Sequence, residues 1–310
     1  MRVTRTVKKI LSNYEADTPG VKTNLARILC TGKLAGTGKM VILPVDQGFE
    51  HGPARSFAVN PDAYDPHYHY QLAVDSGCNA YAAPYGPLAA GADSFAGQIP
   101  TILKMNSANS LSSGNGDYDQ AITADVLDAV RLGCSAIGFT IYPGSDNMYD
   151  MMEEIRELSR EAAEYGLATV LWAYVRGSKI SKDGETALDT ISYGAHMAAL
   201  LGAHIIKVKL PTDYLELGEA KKVYENEDIS RQTQTDRVKD VVKSCMNGRR
   251  LVVFSGGSKK GETAVFDDAR AIRDGGGNGS IIGRNCFQRP KAEALEMLDT
   301  IMKIYKGQIQ

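Results

Sequence analysis

No stretch of these 310 residues is both long and apolar enough to suggest a bilayer span, and the first twenty, MRVTRTVKKILSNYEADTPG, lack the apolar run of a signal peptide. Neither a membrane nor a secretory role is expected. Charge of one sign is also missing: 35 Lys and Arg face 37 Asp and Glu, so there is no broad field to hold a polyanion, and nucleic acid is not an expected partner. The five cysteines, Cys30, Cys78, Cys134, Cys245 and Cys286, include no CxxC pair, which removes the redox-dithiol and zinc-site readings and suits a reducing cytoplasm. Histidine offers no ligand set either. His67 and His69 diverge on a predicted helix, and His196 and His204 have no ligand spacing. No metal and no cofactor is therefore expected. What remains is an ordinary globular composition, 43% hydrophobic and 23% charged, with ample material for one core.

The organisation lies in a phrase that recurs six times, an amphipathic stretch ending at glycine and followed by a short apolar run. The instances are SGCNAYAA, LGCSAIGF, YGLATVLW, LGAHIIKV, NGRRLVVF and GGNGSIIG, around Gly77, Gly133, Gly166, Gly202, Gly248 and Gly275. Glycine after a helix supplies the left-handed cap that turns the chain into the next strand. The apolar runs predict eight strands: Met40–Asp46, Asn79–Pro84, Thr101–Asn106, Ala136–Tyr142, Ala168–Tyr174, His204–Leu210, Arg250–Gly256 and Gly279–Arg284. Their near-continuous apolar character fits parallel strands covered on both faces. Helices are expected between them, at Ile122–Leu132, Asn147–Tyr165, Leu188–Leu201, Asp236–Met246, Thr263–Arg273 and Lys291–Tyr305, with a weaker one within Pro87–Ala96. Eight alternations predict an α/β fold, a single (β/α)8 TIM barrel over residues 39–310, preceded by an N-terminal helical arm at residues 1–38.

Active sites of such barrels lie at the C-terminal ends of the strands, and the unusual polar residues gather there. Strand one ends in Asp46 and runs into Gln47, Glu50 and His51; strand three carries Lys104 and Asn106; strand five offers Trp172, Tyr174 and Arg176. In HIIKVKL, the two-residue alternation of a strand points Lys207 and Lys209 at one face, the barrel interior. A lysine ordinarily titrates near pH 10.4, but burial and a like-charged neighbour both favour the neutral amine, which can attack a carbonyl. The bland alternative has these lysines reaching water or pairing with Asp213. VVFSGGSKKG and SIIGRNCF place Ser255, Gly256, Gly257, Gly283 and Arg284 after strands seven and eight, where barrels commonly bind phosphate. Tyr174 is a candidate proton carrier if held near Lys207, and Asp46 either orients hydroxyls or caps the following turn.

Taken together, ILPVDQGFEHGP, VLWAYVRG, GAHIIKVK, FSGGSKKGET and IIGRNCF resemble the class I fructose-bisphosphate aldolases of the archaeal and bacterial (DhnA) type, from about Gly36 to the C-terminus. The resemblance implies reversible, metal-independent cleavage of fructose 1,6-bisphosphate to dihydroxyacetone phosphate and glyceraldehyde 3-phosphate through a lysine imine. It maps the imine lysine to Lys207 and the proton donor and acceptor to Tyr174. Lys209 remains as neighbour, with Trp172 and Arg176 shaping the substrate site. Asp46, Gln47 and His51 fall in the substrate-binding stretch, and Ser255, Gly256, Gly257, Gly283 and Arg284 in the phosphate motifs. It also implies a homo-oligomer. Where many archaeal relatives have DHG this chain has Asp46-Gln47-Gly48, and LPTD replaces a TG-containing stretch after the lysine; both resemble the bacterial branch. Two other readings stand beside it: an imine-forming transferase of transaldolase-like or thiolase-like type, and a non-catalytic phosphosugar-binding barrel.

Overall fold

The computed structural model describes residues 2–111, 118–255 and 261–309, so Gly256 and Gly257 lie outside the described residues. Among the described residues eight strands form the barrel: β1 (Met40–Pro44), β2 (Ala80–Ala83), β3 (Thr101–Lys104), β4 (Ala136–Ile141), β5 (Ala168–Ala173), β6 (Ile205–Lys209), β7 (Leu251–Ser255) and β8 (Gly279–Ile281). Each pairs in parallel with the next, and β8 returns to β1, closing the barrel. Helices follow the strands in turn and cover the outside, among them Pro66–Ser76, Met148–Glu164, Leu188–Leu200 and Lys291–Tyr305. Among the described residues no helix is long and apolar enough to cross a membrane.

Period-two alternation sorts the strand residues into two cores. Val41, Leu43, Tyr81, Leu103, Ile137, Phe139, Leu171, Ile206, Val208, Val252 and Phe254 face outward into the helices. Met40, Ile42, Ala80, Ala82, Ile102, Ala136, Ala168, Val170, Trp172, Ile205, Leu251, Val253 and Ile281 face the interior. That interior is filled with side chains, as in other barrels of this architecture. The indole of Trp172 is the largest of them, and Gly138 makes room for it: a Cβ there would lie 2.6 Å from Trp172 Cη2.

The first 38 residues contain two helices, α1 (Arg5–Leu11) and α2 (Pro19–Leu29), each started by a threonine whose hydroxyl accepts a backbone N–H, Thr4 from Val7 and Thr18 from Val21. Val7, Val21, Leu25, Ile28 and Leu29 are fully buried in the same cluster as the barrel interior, each contributing roughly 1.5–3 kcal/mol of burial. The polar contacts show which end they close. Tyr14 donates to His204 O (2.6 Å), Asn24 donates to Gly166 O (2.7 Å), and His204 meets Asp17 at 3.1 Å. Both barrel partners, Gly166 and His204, precede their strands, so the arm seals the N-terminal mouth and leaves the opposite end open.

Two sequence expectations need correction. Ile122 does not start a helix: Asn106–Ser107 and Ala121–Ile122 pair as a short antiparallel ribbon, and the helix begins at Val126 behind the Asp125 capping box. The partner of Ile122, Asn106, is sixteen residues away, a non-local contact that periodicity cannot reveal. The six predicted glycine caps hold at Gly77, Gly133, Gly166, Gly202 and Gly248, all at positive φ, but the sixth falls to Gly276 (φ 84°), with Gly275 still right-handed.

Candidate active site

Continuing the interior parity to the open end gives the next layer of the barrel: Pro44, Lys104, Thr140, Tyr174, Lys207, Lys209 and Ser255. Every one of them lines a single cleft, joined by Asp46, Gln47, Glu50, His51, Gln120, Tyr142, Arg176, Gly283 and Arg284 from the loops. The predicted rim is therefore one site. The residues that sequence reasoning brought together from strands one, five, six, seven and eight do meet there. Trp172 is the exception in position: it sits beneath the cleft as its buried floor, with Lys207 Nζ 5.4 Å and Lys104 Nζ 5.9 Å from the ring centroid.

Lys207 is 4% exposed. Burial is the main cause that drives its pKa down, to about 8, with the Arg284 guanidinium adding to the depression and the carboxylates of Asp46 and Glu50 opposing it. At pH 7 the free-amine fraction rises from about 0.03% for an ordinary lysine to roughly 10%. Its Nζ also stands 5.4 Å from the centroid of the Tyr174 ring. Burial raises the Tyr174 phenol well above its usual range, and Asp46 and Glu50 push it further, while a hydrogen bond with Ser255 works against the rise. The phenol is thus a proton-bearing group beside a partly neutral amine.

Lys209 does not activate Lys207 in the way the KxK spacing suggested. It is half-buried at the rim, and its Nζ bonds Glu185 Oε2 at 3.2 Å rather than pairing with Asp213. The cation acting on Lys207 is Arg284, from the loop after β8. Asp46 occupies the position before the helix Gln47–His51 but makes no side-chain cap, which leaves its carboxylate to the cleft. Gln47 Oε1 is buried without a partner among the described residues, and Gly283 is packed so closely that a Cβ would come 2.9 Å from Pro44 O and 3.0 Å from Gln47 Nε2. His51 lies 3.7 Å from Glu50, its pKa lowered by burial, the main cause, and by Arg55 and Arg284, against the pull of Glu50.

Residues without an assigned role in the sequence reading also enter the site. Lys104, 3% exposed, is lowered to about 8, chiefly by burial and further by Lys207. Among the described residues its ammonium, unlike that of Lys207, is hydrogen-bonded: it donates to Asn106 Oδ1 (2.8 Å) and to Asn106 O, and Asn106 in turn is locked to Thr140 by hydrogen bonds of 2.7 and 2.8 Å. Tyr142 accepts from Gln120 (2.7 Å), and Arg176 lies 5.4–6.0 Å from the ring centroids of Tyr142, Tyr118 and Tyr174. Lys104 already stood among the polar residues of strand three in the sequence, and interior parity applied to GFTIY would have added Thr140; nothing local marks Tyr118 or Gln120.

The site holds two electropositive ends around a lowered-pKa amine. One end is Ser255 on β7 with Gly283 and Arg284 after β8; the other is Arg176 after β5, two strands round the barrel from β7. Such an arrangement suits an extended anionic carbonyl compound.

The model of the DeoC/LacD family of aldolases matches residues 40–289. A probable class 1 fructose-bisphosphate aldolase of Chlamydia muridarum is 36% identical over 297 residues, covering 92% of this chain and 84% of the relative. The class 1 fructose-bisphosphate aldolase of Thermoproteus tenax is 35% identical over 274 residues, 88% of this chain and 92% of its own length. Among solved structures, an archaeal fructose-1,6-bisphosphate aldolase with its catalytic lysine covalently bound to the carbinolamine intermediate superposes with a TM-score of 0.72 at 32% identity, covering 86% of this chain and 94% of that one.

Proposed function

Because the chain belongs to the DeoC/LacD family of aldolases, we propose that it is a Schiff-base, class I fructose-bisphosphate aldolase whose imine forms on Lys207. The observation that carries the assignment to this residue is the contrast between two equally depressed lysines. Lys104 donates to Asn106, whereas the Lys207 amine faces the Tyr174 phenol in the open cleft.

The chemistry follows from the geometry. Neutral Lys207 attacks the C2 ketone, the carbonyl oxygen takes up a proton, and loss of water leaves an iminium. The cation draws the C3–C4 bonding pair into an enamine as the C4 hydroxyl gives up its proton and C4 departs as the aldehyde, glyceraldehyde 3-phosphate. Protonation at C3 and hydrolysis of the imine then release dihydroxyacetone phosphate and return the amine. Tyr174 is the group placed to carry these protons, Asp46 holds substrate hydroxyls, and Gln47 and His51 line their approach. Ser255, Gly283 and Arg284 take the C1 phosphate, together with Gly256 and Gly257 as the motif assigns them. Trp172 supports the two lysines from below. Holding one phosphate fixes the ketone over Lys207, converting attack into an intramolecular step. The spacing of the cysteines supports a cytoplasmic enzyme of sugar-phosphate metabolism in glycolysis and gluconeogenesis, and the family resemblance supports a homo-oligomer.

The test is to supply fructose 1,6-bisphosphate as sole substrate in the presence of EDTA. Both triose phosphates should appear in equal amounts. Turnover only when a separate acceptor aldehyde is added would point to a transferase, and binding without turnover to a phosphosugar-binding barrel.

A further inference from the structure

The loop after β5 carries a carboxylate that the mechanism above does not use. Glu185 is 8% exposed, in the single turn Gly184–Thr186, and touches three cations. Its Oε2 lies 3.2 Å from Lys209 Nζ and 3.8 Å from Arg176 Nε, and its Oε1 lies 3.0 Å from Lys182 Nζ. Two of these, Lys209 and Arg176, line the cleft, whereas Glu185 stands behind them. Burial alone would raise the pKa of Glu185, yet the surrounding cations outweigh it and hold the carboxyl below its usual range. It is a fixed negative charge.

The turn that presents it is anchored from several sides. Glu185 N donates to Ser181 O, Thr190 Oγ1 donates to Gly184 O, and Thr212 N donates to Thr186 O. Ser181 is itself held by Glu216 through its N–H and its hydroxyl, both at 2.7 Å. Gly184 packs so tightly on that carboxylate that a Cβ would lie 2.6 Å from Glu216 Cδ. The position of Glu185 is thus set by the loops after β5 and β6 and the helix Leu188–Leu200 together, while the two cleft-lining cations it touches have long side chains with many rotamers. Arg176 in particular has its Nε buried without a hydrogen-bond partner among the described residues, and its guanidinium rests on tyrosine rings. Without a carboxylate between them, Arg176 and Lys209 repel each other and lose the fixed point that keeps both facing the cleft.

We propose that Glu185 is a positioning residue that holds Arg176 and Lys209 as one anion-reading wall, and so sets the preference for a substrate bearing a second phosphate. This rests on the aldolase reading and adds to it. Lys209 is the cross-strand partner of Ser255, but Glu185 draws its ammonium toward Arg176, so the wall occupies the β5–β6 side of the mouth beside the side formed by Ser255, Gly283 and Arg284, and takes the end of the sugar distal to the imine. A phosphate there meets a pre-placed pair of cations, whereas a substrate ending in a hydroxyl gains little from them.

The experiment compares fructose 1,6-bisphosphate with fructose 1-phosphate in the full chain and in Glu185→Gln, which keeps size and removes charge. The KM for the bisphosphate should rise about tenfold while its kcat stays within about twofold, and the loss in kcat/KM should be at least about fivefold smaller for the monophosphate. Glu185→Asp, with the charge kept but set back, should fall between the two. Equal losses for both substrates, a fall in kcat alone, or a bisphosphate KM that stays the same or drops would overturn the proposal. Failure of the aldolase reading itself shows separately, as absence of cleavage by the unsubstituted protein.

Discussion

Replacing Lys207 by methionine should destroy catalysis and stabilise the fold. The amine is buried over Trp172 and Tyr174, and its pKa falls from an ordinary 10.5 to about 8 because the protein interior disfavours its charge. The sign follows from linkage. Above pH 10.5 the lysine is neutral in both folded and unfolded chains and costs nothing. As the pH falls, the unfolded chain takes up the proton first, and below pH 8 the folded state carries the full penalty. A depression of that size corresponds to about 3 kcal/mol, an upper figure for the gain on removing the charge. Methionine has similar length and suits an apolar floor. Urea unfolding at pH 7 should therefore show Lys207→Met more stable by about 1–3 kcal/mol, and the difference should vanish above pH 10.5. Lys104→Met provides the internal contrast: the same charge is removed, but Asn106 O loses its donor, at a cost of roughly 1–3 kcal/mol, so little net gain is expected. A Lys207→Met variant that is less stable than the parent at pH 7, or equally stabilised at pH 7 and pH 11, would show that position 207 holds no buried charge.

Tyr174→Phe should lower kcat by about 10²–10⁴, the usual worth of a positioned proton carrier, while borohydride trapping of dihydroxyacetone phosphate persists. The pH midpoint of trapping, near 8 in the parent, should fall in Asp46→Asn, because that carboxylate holds the Lys207 pKa up, and rise in Arg284→Met, because the guanidinium holds it down. Midpoints that do not move would refute the electrostatic account. Gly138→Ala forces a methyl against the Trp172 indole and should cost about 1–3 kcal/mol of stability, read as a lower thermal midpoint; an unchanged midpoint would show that the floor is loosely packed.

The barrel was legible in the sequence because its strands are apolar on both faces and its helices are amphipathic, so every strand announced itself within a few residues. HIIKVKL gave the direction of Lys207 for the same reason: alternation is local, and a strand in a closed barrel has only two sides. The electrostatics were not legible. Lys207 and Lys209 share a strand and a face, yet two residues of rise separate a buried amine from one that reaches Glu185 at the rim. The KDGET turn holding Glu185 reads as an ordinary loop, since its partners come from the segment just after β5, from β6 and from a lysine three residues before it. Trp172 offers the same lesson: the resemblance set it among the residues shaping the substrate site, whereas the indole lies a layer below the phenol, under the lysines. The seal at the opposite end depends on Tyr14, Asp17 and Asn24 finding backbone and His204 from 140 to 190 residues away, which no local pattern encodes.

The most direct measurement is mass spectrometry of peptides after dihydroxyacetone phosphate and borohydride are added to the unsubstituted protein in EDTA. A single reduced adduct on Lys207 is expected, forming faster as the pH is raised from 6 to 9. An adduct on Lys104 or Lys209, or none at all, would contradict the assignment of the imine to Lys207.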